Sequence, residues 1–423
     1  MQASVALNVQ QSIRPGMEIS TYYPGSENSK LQANATVNDN RFFVALPSLN
    51  SGSSSTVTFN PNEGLAEVIL TMRLSAPAPS DAVGLALQEG WGYAMLRRIG
   101  YRYGSSQLYY ISGSQNLVQA MSLCEDSGKK QQMFFLGGQA LLSPADWADA
   151  GKRTAYVYLR LPHSSPALSG SALPFPSDVL TAPIQLQIDL ANFNQVISSA
   201  STGVVPNSLE FATVNFTQVT MQDAGDLVAR RFDMSKHALT IPLGDGWTQE
   251  EVQFPVSVGT NGQFQVSLTG CKAGDLRKLR LWVTKDSDAS TPAALALNKF
   301  YAPSQLTFSI NGLTYLDSAN GSWLLTNLLR RRQPPVVTYS DLTYSGSAWS
   351  ASPYASTWCE IDLAQPYTLG DSAEVALVHG VPVMNSVMNL TGIMPSAGIY
   401  TIHCEYVLNC SWMASRGSAE FVF

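Results

Sequence analysis

The feature that most limits what this chain can become is apolar alternation with a period of two, recurring in short blocks along its length. In Tyr400–Leu408 one set of alternate positions holds Tyr400, Ile402, Cys404, Tyr406 and Leu408, and the other holds Thr401, His403, Glu405 and Val407. Pro183–Leu190 repeats the pattern with Ile184, Leu186, Ile188 and Leu190. Successive side chains of a strand leave opposite faces, so each block predicts a strand with one face on a core. Further strands are expected at Ala66–Leu74, Arg97–Tyr103 with Gln107–Ile111, Thr154–Leu161, Leu209–Met221, Trp247–Val258, Gln263–Leu268, Lys278–Val283, Trp358–Leu363 and Glu374–His379. Leu306–Ile310 and Leu313–Tyr315 flank Asn311-Gly312, the pair that suits a type I′ turn, and predict a hairpin.

Helical signals are brief. Val83, Leu87, Trp91 and Met95 recur every fourth residue and predict a helix over Ala82–Leu96. Leu117, Met121 and Cys124 predict another over Ser112–Cys124, and Ala289–Phe300 and Gly321–Leu329 are shorter candidates. About fifteen short strands punctuated by turns predict an all-β sandwich architecture. A chain of 423 residues exceeds one compact core and suits two domains of roughly 200 residues. The boundary is expected near Ser257–Gly262, giving 1–257 as an N-terminal arm with the first domain and 258–423 as the second. No sequence repeat links the halves, so any likeness between them is one of fold. Residues 2–14 are polar with Val5, Leu7, Val9 and Ile13 interspersed, and read as an arm that orders only against neighbours. Glu420–Phe423 predicts a C-terminus tied into structure.

Charged residues make up only 13% of the chain, about half the usual share, so the surface is expected to be largely neutral-polar. A net charge of −6 argues against nucleic-acid binding by the body of the protein. The five cysteines, Cys124, Cys271, Cys359, Cys404 and Cys410, show no paired spacing and predict a reduced compartment. No charged and apolar leader follows Met1, which predicts assembly inside the cell rather than secretion. The Asn-X-Ser/Thr triplets at Asn34, Asn215, Asn320, Asn389 and Asn409 are accordingly read as chance.

His163, His237, His379 and His403 lie far apart without metal-ligand spacing, and no nucleophile elbow, phosphate loop or dinucleotide fingerprint is present. Glu250 and Glu251 are neighbours that a strand would send to opposite faces. No catalytic, cofactor-binding or metal-ligating residue is put forward, and the expectation is a protein without enzymatic activity. Arg330-Arg-Arg332 is the one basic cluster, read as a solvated loop or subunit contact, with an acidic neighbour or packaged nucleic acid as the sharper alternative. A binding module would be favoured if Trp349, Tyr354 and Trp358 formed an exposed aromatic platform, and a hydrolase would need two convergent carboxyls in a cleft.

Several segments, in order, resemble the double jelly-roll major capsid proteins of the lineage that includes tailless phages, adenovirus and the nucleocytoplasmic large DNA viruses. They are Trp91–Gly104 with Tyr110–Gly113, Leu173–Pro176 with Pro183–Leu190, Leu279–Val283, Leu306–Gly312, Asn385–Thr391 and Tyr406–Phe421. The Pro-Ser-Gly that precedes the Asn385 segment in the family is missing, and Trp412 stands where an aliphatic residue is usual. The resemblance implies two consecutive eight-stranded jelly rolls with short helices and loop insertions. It also implies a pseudo-hexagonal homotrimeric capsomer that builds the icosahedral capsid shell of a double-stranded DNA virus. Its partners would be itself, penton and minor capsid proteins and an internal membrane beneath the shell, and its place the virion. The alternative class is a jelly-roll binding module, such as a spike or penton protein or a lectin.

Overall fold

The alternating blocks become two pairs of sheets in the structure, a computed structural model. It describes residues 39–59, 64–103, 109–122, 127–160, 183–200, 203–219, 239–242, 247–285, 299–318, 336–363, 365–368, 375–409, 411–415 and 418–422. In the N-terminal half these are β1 (Asp39–Ala45), β2 (Ser54–Thr58), β3 (Gly64–Leu74), β4 (Leu96–Tyr103), β5 (Tyr109–Ser112), β6 (Thr154–Tyr158), β7 (Ile184–Leu190) and β8 (Leu209–Val219). They pair in the orders β1-β8-β3-β6 and β2-β7-β4-β5. In the C-terminal half come β9 (Val252–Val258), β10 (Gln263–Leu268), β11 (Asp275–Lys285), β12 (Gln305–Ile310), β13 (Leu313–Ser318), β14 (Cys359–Asp362), β15 (Met388–Ile393) and β16 (Gly398–Leu408).

These pair as β9-β16-β11-β14 and β10-β15-β12-β13, with the short strand Trp247–Thr248 also on β16. Adding eight to every label of the first half gives the second, and every pairing is antiparallel. Such an order, with the first and last strands neighbours in one sheet, is the jelly roll. The chain has it twice.

Each sandwich closes over the side chains the alternation sends inward. Ile184, Leu186, Ile188 and Leu190 of β7 are buried against Leu70, Met72, Ile99 and Val214 in the first core. Tyr400, Ile402, Cys404, Tyr406 and Leu408 of β16 join Leu279, Leu281, Phe308 and Leu390 in the second. Asn311 at φ 50 and Gly312 at φ 81 make the left-handed pair that turns β12 into β13. The strands Ser411–Ser415 and Ser418–Val422 pair with each other, and the former pairs with Leu239–Pro242. The C-terminus is thus tied to the segment that leads from the first jelly roll to the second.

One expectation is corrected. Ala82–Leu96 is not one helix: only α1 (Pro79–Ala82) and α2 (Trp91–Ala94) are helical. Between them Leu85–Ala86 pairs with Ser198–Ser199, and the Leu85 carbonyl accepts the Trp147 indole N–H at 3.3 Å. Tertiary pairing overrides the every-fourth-residue pattern there. Residues 257 and 258 both lie in β9, all of which pairs with β16. The arm at 2–14, the turn around Pro174, Arg330–Arg332, the helix at 321–329 and most of 289–300 lie outside the described residues.

The connection from β5 to β6 carries α3 (Gly113–Ser122), α4 (Ser127–Leu136) and α5 (Pro144–Ala148). Ser112 Oγ accepts the Gln115 amide at 3.0 Å and caps the start of α3. A side chain at Gly113 would meet the backbone carbonyl oxygens of Leu96 at 2.1 Å and Tyr93 at 2.4 Å. Replacing Gly113 by Ala is therefore expected to destabilise the protein by at least ~2 kcal/mol, because backbone must move to admit the methyl. At Gly259 the nearest atom, Asn261 Oδ1, lies 3.6 Å away, and Gly259→Ala is expected to change stability by less than ~0.5 kcal/mol. Urea melts of the two variants measure the difference.

Candidate functional site

Alternation along β16 explains only one of its faces. His403, Glu405 and Val407, on the polar-rich side, are buried as well. α3 of the first jelly roll, a helix buried on nearly every side, meets this face at Glu405. Its Leu117, Val118, Ala120 and Met121 enter the first core, while Gln115 and Gln119 reach the second jelly roll.

Three strands supply the charges at this joint. Glu360 of β14, Arg280 of β11 and Glu405 of β16 are directly opposite one another in the sheet register. Arg280 Nε bonds Glu360 Oε2 at 2.7 Å, and its Nη1 bonds Glu405 Oε1. Lys278 Nζ lies 3.5 Å from Glu360 Oε1, so two cations alternate with two carboxylates. The Gln119 side-chain amide donates to Glu405 Oε2 at 3.2 Å across the joint. Charges this deep persist only when paired and hydrogen-bonded.

The next register row places Trp282 beside His403, their rings stacked at 5.4 Å and 7°. Thr284 Oγ1 is 2.8 Å from His403 Nε2, and Glu251 Oε1 is 3.4 Å from Nδ1. Burial by itself raises the Glu251 carboxyl, but hydrogen bonds from His403, Gln253 and Ser112 and the charge of His403 outweigh it and hold the group below the usual glutamate range. Gln115 links the halves twice: its Nε2 donates to the Gln249 carbonyl at 2.7 Å, and its Oε1 accepts the Glu251 amide at 3.2 Å. Tyr109 donates its hydroxyl to the Thr248 carbonyl, and Arg98 pairs with Glu250 at 3.1 Å. Trp282, Phe300 and Trp358 of the C-terminal half pack into the first core and make the joint continuous with it.

Glu250 and Glu251, in the link between Trp247–Thr248 and β9, diverge, one to half-exposed Arg98 and one to buried His403. Trp358 is buried, so it cannot join Trp349 in an exposed platform. Trp349 instead lies against Tyr344, ring centroids 5.1 Å apart. His163 and His237 lie outside the described residues. Cys271, Cys359 and Cys404 are free thiols, and burial pushes Cys271 up to about 12 and Cys404 well above the usual thiol value. Among the described residues no three His, Cys, Asp or Glu side chains gather as a metal site. The chemistry of the joint is cohesion between two sandwiches, with no group poised as a nucleophile. The signal that could have found it is the run of charges Arg280, Glu360 and Glu405 on strands whose other face is apolar.

No protein-family model matches the chain, and no curated protein matches it in sequence. Solved structures do match in fold. The PBCV-1 virus capsid aligns with a TM-score of 0.56 at 9% identity, over 92% of this chain and 97% of that one. The Sputnik virophage structure aligns at 0.51 and 12% identity, over 91% and 88% of the two chains. The Faustovirus major capsid protein aligns at 0.51 and 6% identity, over 99% and 94%. This chain has the double jelly-roll fold of viral major capsid proteins. The aligned span covers both of its jelly rolls.

Arg280→Ala is expected to destabilise the double jelly roll by about 3–5 kcal/mol, since it strands two buried carboxylates. Chemical denaturation measures the loss. Glu251, with its folded pKa depressed, adds stability that is full above the unfolded value of about 4.3 and is lost as pH falls through the folded one. Glu251→Gln should flatten that part of the acid limb relative to the wild type, in urea midpoints compared from about pH 5 to pH 3.

Proposed function

We propose that this chain is a major capsid protein that associates as a homotrimer and builds a viral shell. The observation that carries the reading is the duplicated strand order: two jelly rolls of equal topology fixed by one buried joint. Three chains then supply six near-equivalent blocks for a pseudo-hexagonal ring, a shape that tiles an icosahedral face. The fold neighbours are viral capsid proteins, and that supports the same role here. Low charge suits subunit contacts that are neutral and wet rather than steered by net charge.

On this reading the protein resides in the virion of a double-stranded DNA virus, and its partners are further copies of itself, penton and minor capsid proteins and an internal membrane. It acts as a scaffold and not as an enzyme. We also place the division between its two folding units ahead of Trp247, so that Trp247–Val258 goes with the second unit. The alternative of an aromatic binding platform loses its main support with Trp358 in the core.

Light scattering coupled to size-exclusion chromatography tests the role. A stable species of three chain masses, forming hexagonal arrays or shells on concentration, is the expected outcome. A monomer throughout the micromolar range would overturn it.

A further inference from the structure

The buried titratable groups of this protein are unevenly placed. The two sandwich cores are built from apolar, aromatic and thiol side chains. The buried glutamates of the described residues, Glu360 and Glu405, lie instead in the joint between the jelly rolls, as does Glu251, whose side chain is 5% exposed. Arg280 and Lys278 of β11 and the imidazole of His403 on β16 face these three carboxyls. The other buried acid, Asp189 of β7, belongs to the first jelly roll alone, where Ser54 donates to it at 2.6 Å and Gln187 at 3.0 Å.

Glu251 ties the halves together with both of its carboxylate oxygens. Oε1 faces His403 Nδ1 of the second jelly roll at 3.4 Å, and Oε2 accepts the Ser114 hydroxyl of α3 at 3.4 Å. Gln253 of β9 also donates to Oε1, at 2.7 Å. Around this pair β11 supplies neutral Trp282 and Thr284, with Arg280 and Glu405 one register row along, and α3 supplies neutral Gln115. From the rest of the first jelly roll, Arg98 is engaged by Glu250, and Tyr109 senses the charges of Glu405, Arg160 and Glu250. Protonating Glu251 therefore leaves an imidazolium at His403 buried against Trp282 with its carboxylate partner neutralised. Protonating Glu360 or Glu405 removes an anion from Arg280 in the same way. Losing one partner of a buried pair is strongly destabilising, because the other charge stays buried without compensation.

We propose that the joint is an acid-operated latch, which on acidification lets the two jelly rolls part while each sandwich stays folded. Among the described residues the apolar cores hold no carboxylate to protonate, so acid acts first on the contact between them. His403 and the hydrogen bonds around Glu251 hold its carboxyl below the usual glutamate range while the joint is closed. Closure is therefore fully supported above about pH 4.3 and weakens as pH falls through the lower value of the closed joint. The halves remain one chain, so the latch recloses on neutralisation as an intramolecular step. The device belongs to the single chain and stands apart from the self-association proposed above.

Pulsed amide hydrogen exchange on the full chain, read at single residues after incubation at each pH, tests the latch. The Glu251 amide donates to Gln115 Oε1 across the joint, whereas the Gln249 amide donates to the Tyr406 carbonyl within the second jelly roll. Between about pH 6 and about pH 3.5 the Glu251 amide is expected to lose at least about 10-fold in protection. The Gln249 amide, the amides of β7 and β12 and the far-ultraviolet circular dichroism are expected to hold. In Glu251→Gln and His403→Gln, protection at position 251 should be lower at both pH values yet differ between them by less than about threefold. A contact with a structural role alone would lose protection in these variants and keep its pH dependence. Loss at β7, β12 and both reporter amides together would show unfolding of the whole chain and overturn the latch. So would full protection of the Glu251 amide at about pH 3.5, or variants that keep the wild-type ratio. Each of these results leaves the capsomer reading standing.

Discussion

The row Glu360–Arg280–Glu405 fixes how the two halves of this protein meet. One guanidinium bridges two carboxylates from neighbouring strands, and Gln119 of α3 closes the row from the first jelly roll. Buried ion pairs are weak evidence of net stabilisation, because desolvation consumes most of the Coulomb gain. What they impose is register. Sliding α3 along β16 would leave Glu405 without its amide donor and Gln115 without the Gln249 carbonyl and Glu251 amide. An apolar joint would permit such slips at little cost. The hydrophobic part of the contact, Trp282, Phe300 and Trp358 in the first core, supplies cohesion, and the polar rows choose the arrangement.

Much of the fold was legible because a sheet with one core face writes itself into sequence with a period of two. Tyr400–Leu408, Ile184–Leu190 and the Asn311-Gly312 hairpin all stand where alternation and turn chemistry place them. The duplication was legible only through the family resemblance, which implied two consecutive jelly rolls, and not in the residues' own pattern. Equal strand order is a property of pairing between distant residues, and no repeated residues record it. The second burial of β16 escaped for a related reason. His403 and Glu405 look solvent-facing in a strand read alone, since polar residues on alternate positions are the usual mark of a wet face. Only the packing of another domain on that face turns them into buried partners. Leu85–Ala86 shows the converse, an apparently helical spacing recruited into a strand by Ser198–Ser199.

The absence of an assembled reactive group in the described joint follows from the same geometry. His403 and Glu251 form the kind of pair that serves general-base chemistry elsewhere. Here Trp282 stacks on the ring and Thr284 occupies its second nitrogen. Both nitrogens of His403 are thus engaged in holding β11, β16 and the segment that leads into β9 together. The buried thiols of Cys359 and Cys404 are likewise packing groups within the second core.

The outer sheet faces of the two jelly rolls carry different residues at corresponding positions. Within one chain the halves are tethered, so the joint forms at high effective concentration and loses little further freedom. It can tolerate a charge row that roughly breaks even and gains specificity from it. A joint between separate chains must first overcome the loss of translational and rotational freedom, several kcal/mol by any estimate. Surface that releases water from aromatic and aliphatic groups meets that cost better than ions do. Phe43, Ile69, Phe211, Tyr156 and Tyr158 have that character, and Arg280, Glu360 and Glu405 do not.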